Sequence, residues 1–166
     1  MKNRKQLTLF LPDTAAAIEK IRAEFNPEQF KLIPAHVTLC REEELEPLEP
    51  VIERLRSISL EGPVRIRFKK PERSADGKGV VMPAADEEDY RRLRSLVLGA
   101  SGATNVQSPH ITLMHPRNSS CSEELFKKIL HRDLPKEFWF DRISLIEQKN
   151  SGKWKVLEEF GIVYRI

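Results

Sequence analysis

The feature that most constrains this 166-residue chain is a tetrapeptide that occurs twice, as His36-Val37-Thr38-Leu39 and as His110-Ile111-Thr112-Leu113. The chain has four histidines, and two of them hold matching places in the repeat. Side chains alternate along a strand, so His and Thr at i and i+2 share one face while Val37, Leu39, Ile111 and Leu113 share the other. Each copy therefore presents an imidazole and a hydroxyl together, backed by an apolar face. If both strands lie in one sheet, two imidazoles and two hydroxyls surround a single site. Two histidines can divide base and acid roles near neutral pH, and hydroxyls can donate to phosphoryl oxygens, so the set suits phosphoester chemistry.

The rest of the chain repeats around these strands. Gln6 to Leu11 reads as a strand closed by Pro12, and Pro12-Asp13-Thr14 offers a cap for a helix running to Phe25, with Ile18, Ile21 and Phe25 inward. A loop through Asn26-Pro27 then leads to the first His-Thr strand. In the second half Val80 to Met82 is closed by Pro83, and a helix opened by Asp86 carries Tyr90, Leu93, Val97 and Leu98 before Gly99 to Gly102 stop it. The strand-helix-strand order is thus duplicated. Between the two lie a helix after Pro47, built on Leu48, Val51, Ile52 and Leu55, and an alternating strand Val64 to Phe68. Beyond His115, Ser122 caps a helix, and strands Phe138 to Gln148 and Trp154 to Phe160 are joined by a turn at Asn150-Ser151-Gly152. This predicts a single α+β domain over 1–166, with halves 1–70 and 78–166 joined by 71–77. The halves are expected to be two pseudo-symmetric lobes of mostly antiparallel sheet, helices outside, facing a central groove.

Charge and cysteine usage narrow the setting. Lys and Arg number 28 against 25 Asp and Glu, a mild excess that suits a phosphate-bearing ligand without announcing a nucleic-acid binder. Cys40 and Cys121 form no C-x-x-C pair, which argues against a disulfide framework and fits a reducing cytoplasm. The run Leu7 to Leu11 is too short for a signal sequence or a membrane span. A cytoplasmic monomer is the expectation, acting on an RNA end or a small cyclic nucleotide, away from membranes.

The paired His-Val-Thr-Leu and His-Ile-Thr-Leu, each preceded by Pro or Pro-Ala, resemble the tandem motifs of the 2H phosphoesterase superfamily, in particular its bacterial 2′-5′ RNA ligase-like, cyclic phosphodiesterase branch. The resemblance spans the whole organisation and implies two related α/β lobes around a groove. It also implies a metal-independent hydrolase of 2′,3′-cyclic phosphates or 2′-5′ linkages, with His36, Thr38, His110 and Thr112 catalytic and no cofactor. In that family an Arg commonly stands five positions after the second His. Here that position is His115, and Arg41 takes the equivalent place after the first. Arg41 and His115 are therefore the candidate substrate contacts, with Arg117 a further option, although regular alternation would turn position i+5 away from the groove unless the strand bulges.

Other readings remain open on sequence grounds. A metal site built from His36, Cys40, His110 and His115 lacks the usual ligand spacings. A noncatalytic RNA- or nucleotide-binding module on the same scaffold would need stacking aromatics and a basic track. Regular strands would turn Cys40 and Met114 into the groove. Glu42-Glu43-Glu44 reads as a solvated loop and helix start, Arg65 and Arg67 as a solvated strand face, and Trp139, Trp154 and Phe160 as core or sheet-face packing. With paired imidazoles, kcat/KM should rise and then fall with pH, both limbs lying at roughly six to seven.

Overall fold

The computed structural model describes residues 2–60, 62–99 and 108–164. In chain order the elements are β1 (Asn3–Phe10), α1 (Ala16–Phe25), α2 (Pro27–Leu32), β2 (His36–Cys40), α3 (Leu48–Ser57), β3 (Ser59–Leu60), β4 (Val64–Arg67), β5 (Glu72–Arg73), β6 (Val80–Pro83), α4 (Glu88–Leu98), β7 (His110–Met114), α5 (Glu123–Leu130), β8 (Glu137–Phe140), β9 (Arg142–Lys149), β10 (Lys155–Gly161) and β11 (Val163–Tyr164). Short 3-10 turns at Asp13–Ala15 and Glu42–Leu45 complete the set.

Seven strands form one antiparallel sheet in the order β10-β9-β1-β2-β7-β6-β5. The two His-Thr strands are its central neighbours, so a pseudo-twofold axis passes between them and relates β1 to β6. Val37, Leu39, Ile111 and Leu113 point into the core, where α1 packs against β7 and α4 against β2 and β4. Each helix thus covers the strand of the opposite motif. The α+β class with pseudo-symmetric halves around a groove is as the sequence indicates.

Several local features differ from the sequence reading. The stretch Phe138 to Gln148 is two strands: β8 pairs with β4 in a separate two-stranded ladder, and β9 joins the main sheet beside β1. Asp141 makes the crossing, its carbonyl accepting from the Ile162 N–H at 2.8 Å. Neither Asp13 nor Thr14 caps α1, because a 3-10 turn precedes it. The expected loop after Asn26 contains α2, with Pro27 in its first turn, where a missing N–H costs no helical bond. Ser122 does cap α5, its side chain accepting from the Leu125 N–H. Asn150 and Ser151, with φ of 51° and 61°, make the tight β9–β10 turn. Gly99 ends α4 at φ 67°; the rest of the expected stop, through Gly102, lies outside the described residues.

Candidate active site

The site follows from how β2 meets β7. Their antiparallel pairing is centred on Val37 opposite Ile111. By that register His36 lies across from Thr112 and Thr38 across from His110, so the four side chains form a checkerboard on one face. Diagonal cross-strand positions lie roughly 7–8 Å apart, which leaves room between the two imidazoles for a phosphate group. All four residues line a cavity of about 430 Å³.

Both strands then break their alternation at the same place. Thr38 opposes Thr8 and Cys40 opposes Leu7, leaving Leu39 as an extra residue. Thr112 opposes Val81 and Met114 opposes Val80, leaving Leu113 extra in the same way. A bulge of this kind resets which face the following residues occupy. Cys40 and Met114, expected in the groove, are instead core residues at 0% and 1% exposure. Arg41 and His115 are turned inward and line the cavity with the catalytic candidates. Desolvation pushes the Cys40 thiol up to about 12, so it remains a protonated core group.

The two motif histidines are held identically. His36 Nδ1 lies 2.9 Å from the Pro34 carbonyl, and His110 Nδ1 lies 3.0 Å from the Ser108 carbonyl. A carbonyl can only accept, so each Nδ1 carries the proton, and in the neutral ring Nε2 is left as a base. Their surroundings differ. Desolvation lowers His36 to about 4, the bond to Pro34 resists this, and the charges of Arg22, His110 and His115 add to the lowering. Phe10 meets the His36 ring edge to face at 6.3 Å.

His115 has the opposite tautomer. The Arg117 backbone N–H donates to its Nδ1 at 3.0 Å, so the neutral ring carries its proton on Nε2. Desolvation, followed by the charges of Arg117, Arg4 and His110, lowers its pKa and favours this neutral form. The motif histidines offer acceptors, whereas His115 offers a donor.

His115 is anchored directly by the end of the helix from the other half, and Arg41 through Glu44, which α4 from the half opposite Arg41 holds in place. The His115 N–H donates to Asn26 Oδ1 at 2.8 Å, and Asn26, at the end of α1, is 1% exposed. The Arg41 N–H donates to Glu44 Oε1 at 3.0 Å. Glu44 in turn pairs with Arg94 of α4 at 2.5 Å, with side-chain exposures of 7% and 2%. Arg94 and Tyr90 also reach main-chain carbonyls at the bulge: Tyr90 Oη donates to the Thr38 carbonyl at 2.8 Å and Arg94 Nη1 to the Leu39 carbonyl at 2.5 Å. Glu44 is thus part of a buried pair and not of a solvated acidic run. Glu42 and Glu43 line the groove.

Arg4, Lys5, Arg22, Arg41 and Arg117 set five cationic side chains in the lining against the two of Glu42 and Glu43, which favours an anionic ligand. Sequence reasoning passed over Arg22, which is 2% exposed and donates to the Ile33 carbonyl at 2.8 Å. The signal was present: Ile18-x-x-Ile21-Arg22 and Tyr90-x-x-Leu93-Arg94 repeat the same spacing and set each Arg on the buried stripe. Of the three candidate aromatics, Trp154 lines the groove, Phe160 is core, and Trp139 is exposed on β8 with Arg65 over its ring. Arg67 pairs with Asp86, and neither Arg65 nor Arg67 lines the groove. Among the described residues, no helix is long and apolar enough to cross a membrane.

A sheet whose two central strands carry His-x-Thr motifs about a pseudo-twofold axis, with both imidazoles facing one groove, defines the 2H phosphoesterase class of fold. The chain belongs to the 2′-5′ RNA ligase superfamily, whose family model matches residues 10–152. Escherichia coli LigT, solved with phosphate, superposes with a TM-score of 0.64 at 15% identity, covering 97% of this chain and 98% of that one. The Thermus thermophilus protein TT0787 gives 0.56 at 22% identity, covering 98% and 100%. A structure described as a phosphoesterase gives 0.58 at 12% identity, covering 98% and 99%. At these identities the likeness is one of fold. No curated protein sequence matches the chain.

Proposed function

We propose that the protein is a metal-independent phosphoesterase that hydrolyses a 2′,3′-cyclic phosphate or a 2′-5′ phosphodiester, in RNA or in a nucleotide, by two-histidine acid–base catalysis. The observation that carries this reading is the single face shared by His36, Thr38, His110 and Thr112 in the cavity lining, with both imidazoles anchored through Nδ1 so that Nε2 is the nitrogen left for proton transfer.

His36 is the base, because burial beside Arg22 keeps it neutral at physiological pH. An incoming phosphodiester anion offsets the Arg22 charge and moves the imidazole back towards the range in which a base is effective. His36 Nε2 takes a proton from water as the water oxygen bonds to phosphorus. The bond from phosphorus to one ribose oxygen breaks, and His110, as imidazolium, protonates that oxygen. Thr38, Thr112, the Arg41 guanidinium and the His115 Nε2–H stabilise the nonbridging oxygens as charge builds on them. The substrate is an RNA end or a small cyclic nucleotide.

The deciding experiment incubates purified protein with 2′,3′-cyclic AMP and with a 2′-5′-linked dinucleotide, with and without EDTA. Turnover of at least one, unchanged by chelation, is expected. Saturable binding with no turnover would instead assign a noncatalytic nucleotide-binding module, and activity restored only by added zinc or manganese would replace the two-histidine mechanism with a metal-assisted one.

A further inference from the structure

Beside His115 the groove is walled by a second assembly that the catalytic scheme does not use. Arg4 of β1 lies over the ring of Trp154, with 5.3 Å between guanidinium carbon and ring centroid, within range for a cation–π contact. Arg4 Nε donates to Gln148 Oε1 at 3.1 Å, and its Nη2 donates to the same oxygen. Gln148 is 2% exposed and its own amide donates to the Gly152 carbonyl at 2.8 Å. A fully buried amide, committed on both sides, therefore fixes the guanidinium plane. The main chain that carries the indole is tied to α2, since the Trp154 backbone N–H donates to the Leu32 carbonyl at 2.9 Å.

Two flat groups stacked at the wall of a polar groove make little sense as core packing, because both border the cavity and Trp154 is only partly buried. The partner of Arg4 is a neutral amide, whereas Arg22 and Arg94 are each paired with a carboxylate, Glu19 and Glu44. The charge of Arg4 is felt at His115, as is the charge of His110. The assembly therefore adjoins the phosphate-binding end of the site on the His115 side.

We propose that Arg4 and Trp154 form a nucleobase subsite, so that the phosphoester is bound as part of a nucleotide whose base stacks on this guanidinium–indole pair. The inference rests on the proposed function for the phosphate end, and it adds the requirement that the substrate carry an aromatic base next to the reacting phosphate. Base stacking tolerates all four bases, so the subsite selects nucleotides over base-free cyclic phosphodiesters without demanding a sequence.

The test has a binding arm and a kinetic arm. In a Trp139→Phe background Trp154 is the sole indole, and titration with 3′-AMP should change its fluorescence where inorganic phosphate alone does not. In the kinetic arm Trp154→Ala should raise KM for 2′,3′-cyclic AMP about tenfold or more, well beyond its effect on glycerol 1,2-cyclic phosphate, and be largely rescued by Trp154→Phe. Equal responses to 3′-AMP and to phosphate, or equal losses on both substrates, would overturn the subsite. If the unaltered protein turns over neither substrate, the phosphoesterase reading fails, while the 3′-AMP arm still decides whether the base is held.

Discussion

The β1–β2 and β6–β7 pairs share a backbone plan down to the bulged leucine, yet their side chains part company. Opposite the first motif stand Thr8 and Phe10, and opposite the second stand Val81 and Pro83. Both duplicated arginines serve the first motif: Arg22 binds the Ile33 carbonyl just before it, and Arg94 binds the Leu39 carbonyl within it. The second motif has a neutral anchor, Asn26. Duplication supplied two equivalent imidazoles, and the divergent frame around them sets two different electrostatic environments. Acid–base catalysis needs that inequality, since identical groups would be both protonated or both neutral at most pH values.

The largest effect should come from the imidazoles themselves. His36→Ala and His110→Ala should each lower kcat/KM by about 10²–10⁴-fold, with the double variant little worse than either single one because the two act as a unit. Full activity in either variant would remove the paired mechanism. Next come the anchors. Arg94→Ala leaves Glu44 buried without its guanidinium and should cost about 3–5 kcal/mol of stability in urea unfolding. Asn26→Ala strands one backbone N–H and should cost about 1–3 kcal/mol. Equal costs would mean that the charged and neutral anchors are equivalent, and the two halves less different than their side chains suggest.

The smallest effect concerns pH, and it separates the two histidines most finely. His36 is held near 4 against an ordinary value of 6.5. Between those values the unfolded chain takes up a proton that the native imidazole refuses. Stability is therefore complete above about pH 6.5 and declines as pH falls towards 4. His36→Gln should flatten that decline, as read from Tm across the window. The same shift moves the ascending limb of kcat/KM well below the range that unperturbed imidazoles would give. An ascending limb still at six to seven would place the base elsewhere.

What could be read in the sequence was whatever depends on local pattern. The paired tetrapeptides, the apolar stripes at Ile18, Ile21 and Tyr90, Leu93, and the Asn150-Ser151 turn each declare themselves within a few residues. What could not be read depends on how strands register against each other. The bulges at Leu39 and Leu113 arise from pairing with β1 and β6, so nothing in His-Val-Thr-Leu-Cys announces that Cys40 turns into the core and Arg41 into the groove. Glu44 looks like its neighbours in an acidic run until Arg94, 50 residues later, is seen beside it. Trp154 could not be told from Trp139 without knowing that one hairpin joins the main sheet and the other strand a separate ladder.

The position of β1 has a consequence for how the chain is made. This strand bonds to β2 on one side and on the other to β9, from Asn3 opposite Lys149 to Thr8 opposite Ser144. On a ribosome β1 must keep an open edge until β9 has emerged, and contacts of such long sequence separation are slow to close. A nascent chain halted short of residue 142 therefore exposes Leu7, Leu9 and an unpaired backbone edge together, the combination that draws chaperones and invites strand-to-strand aggregation.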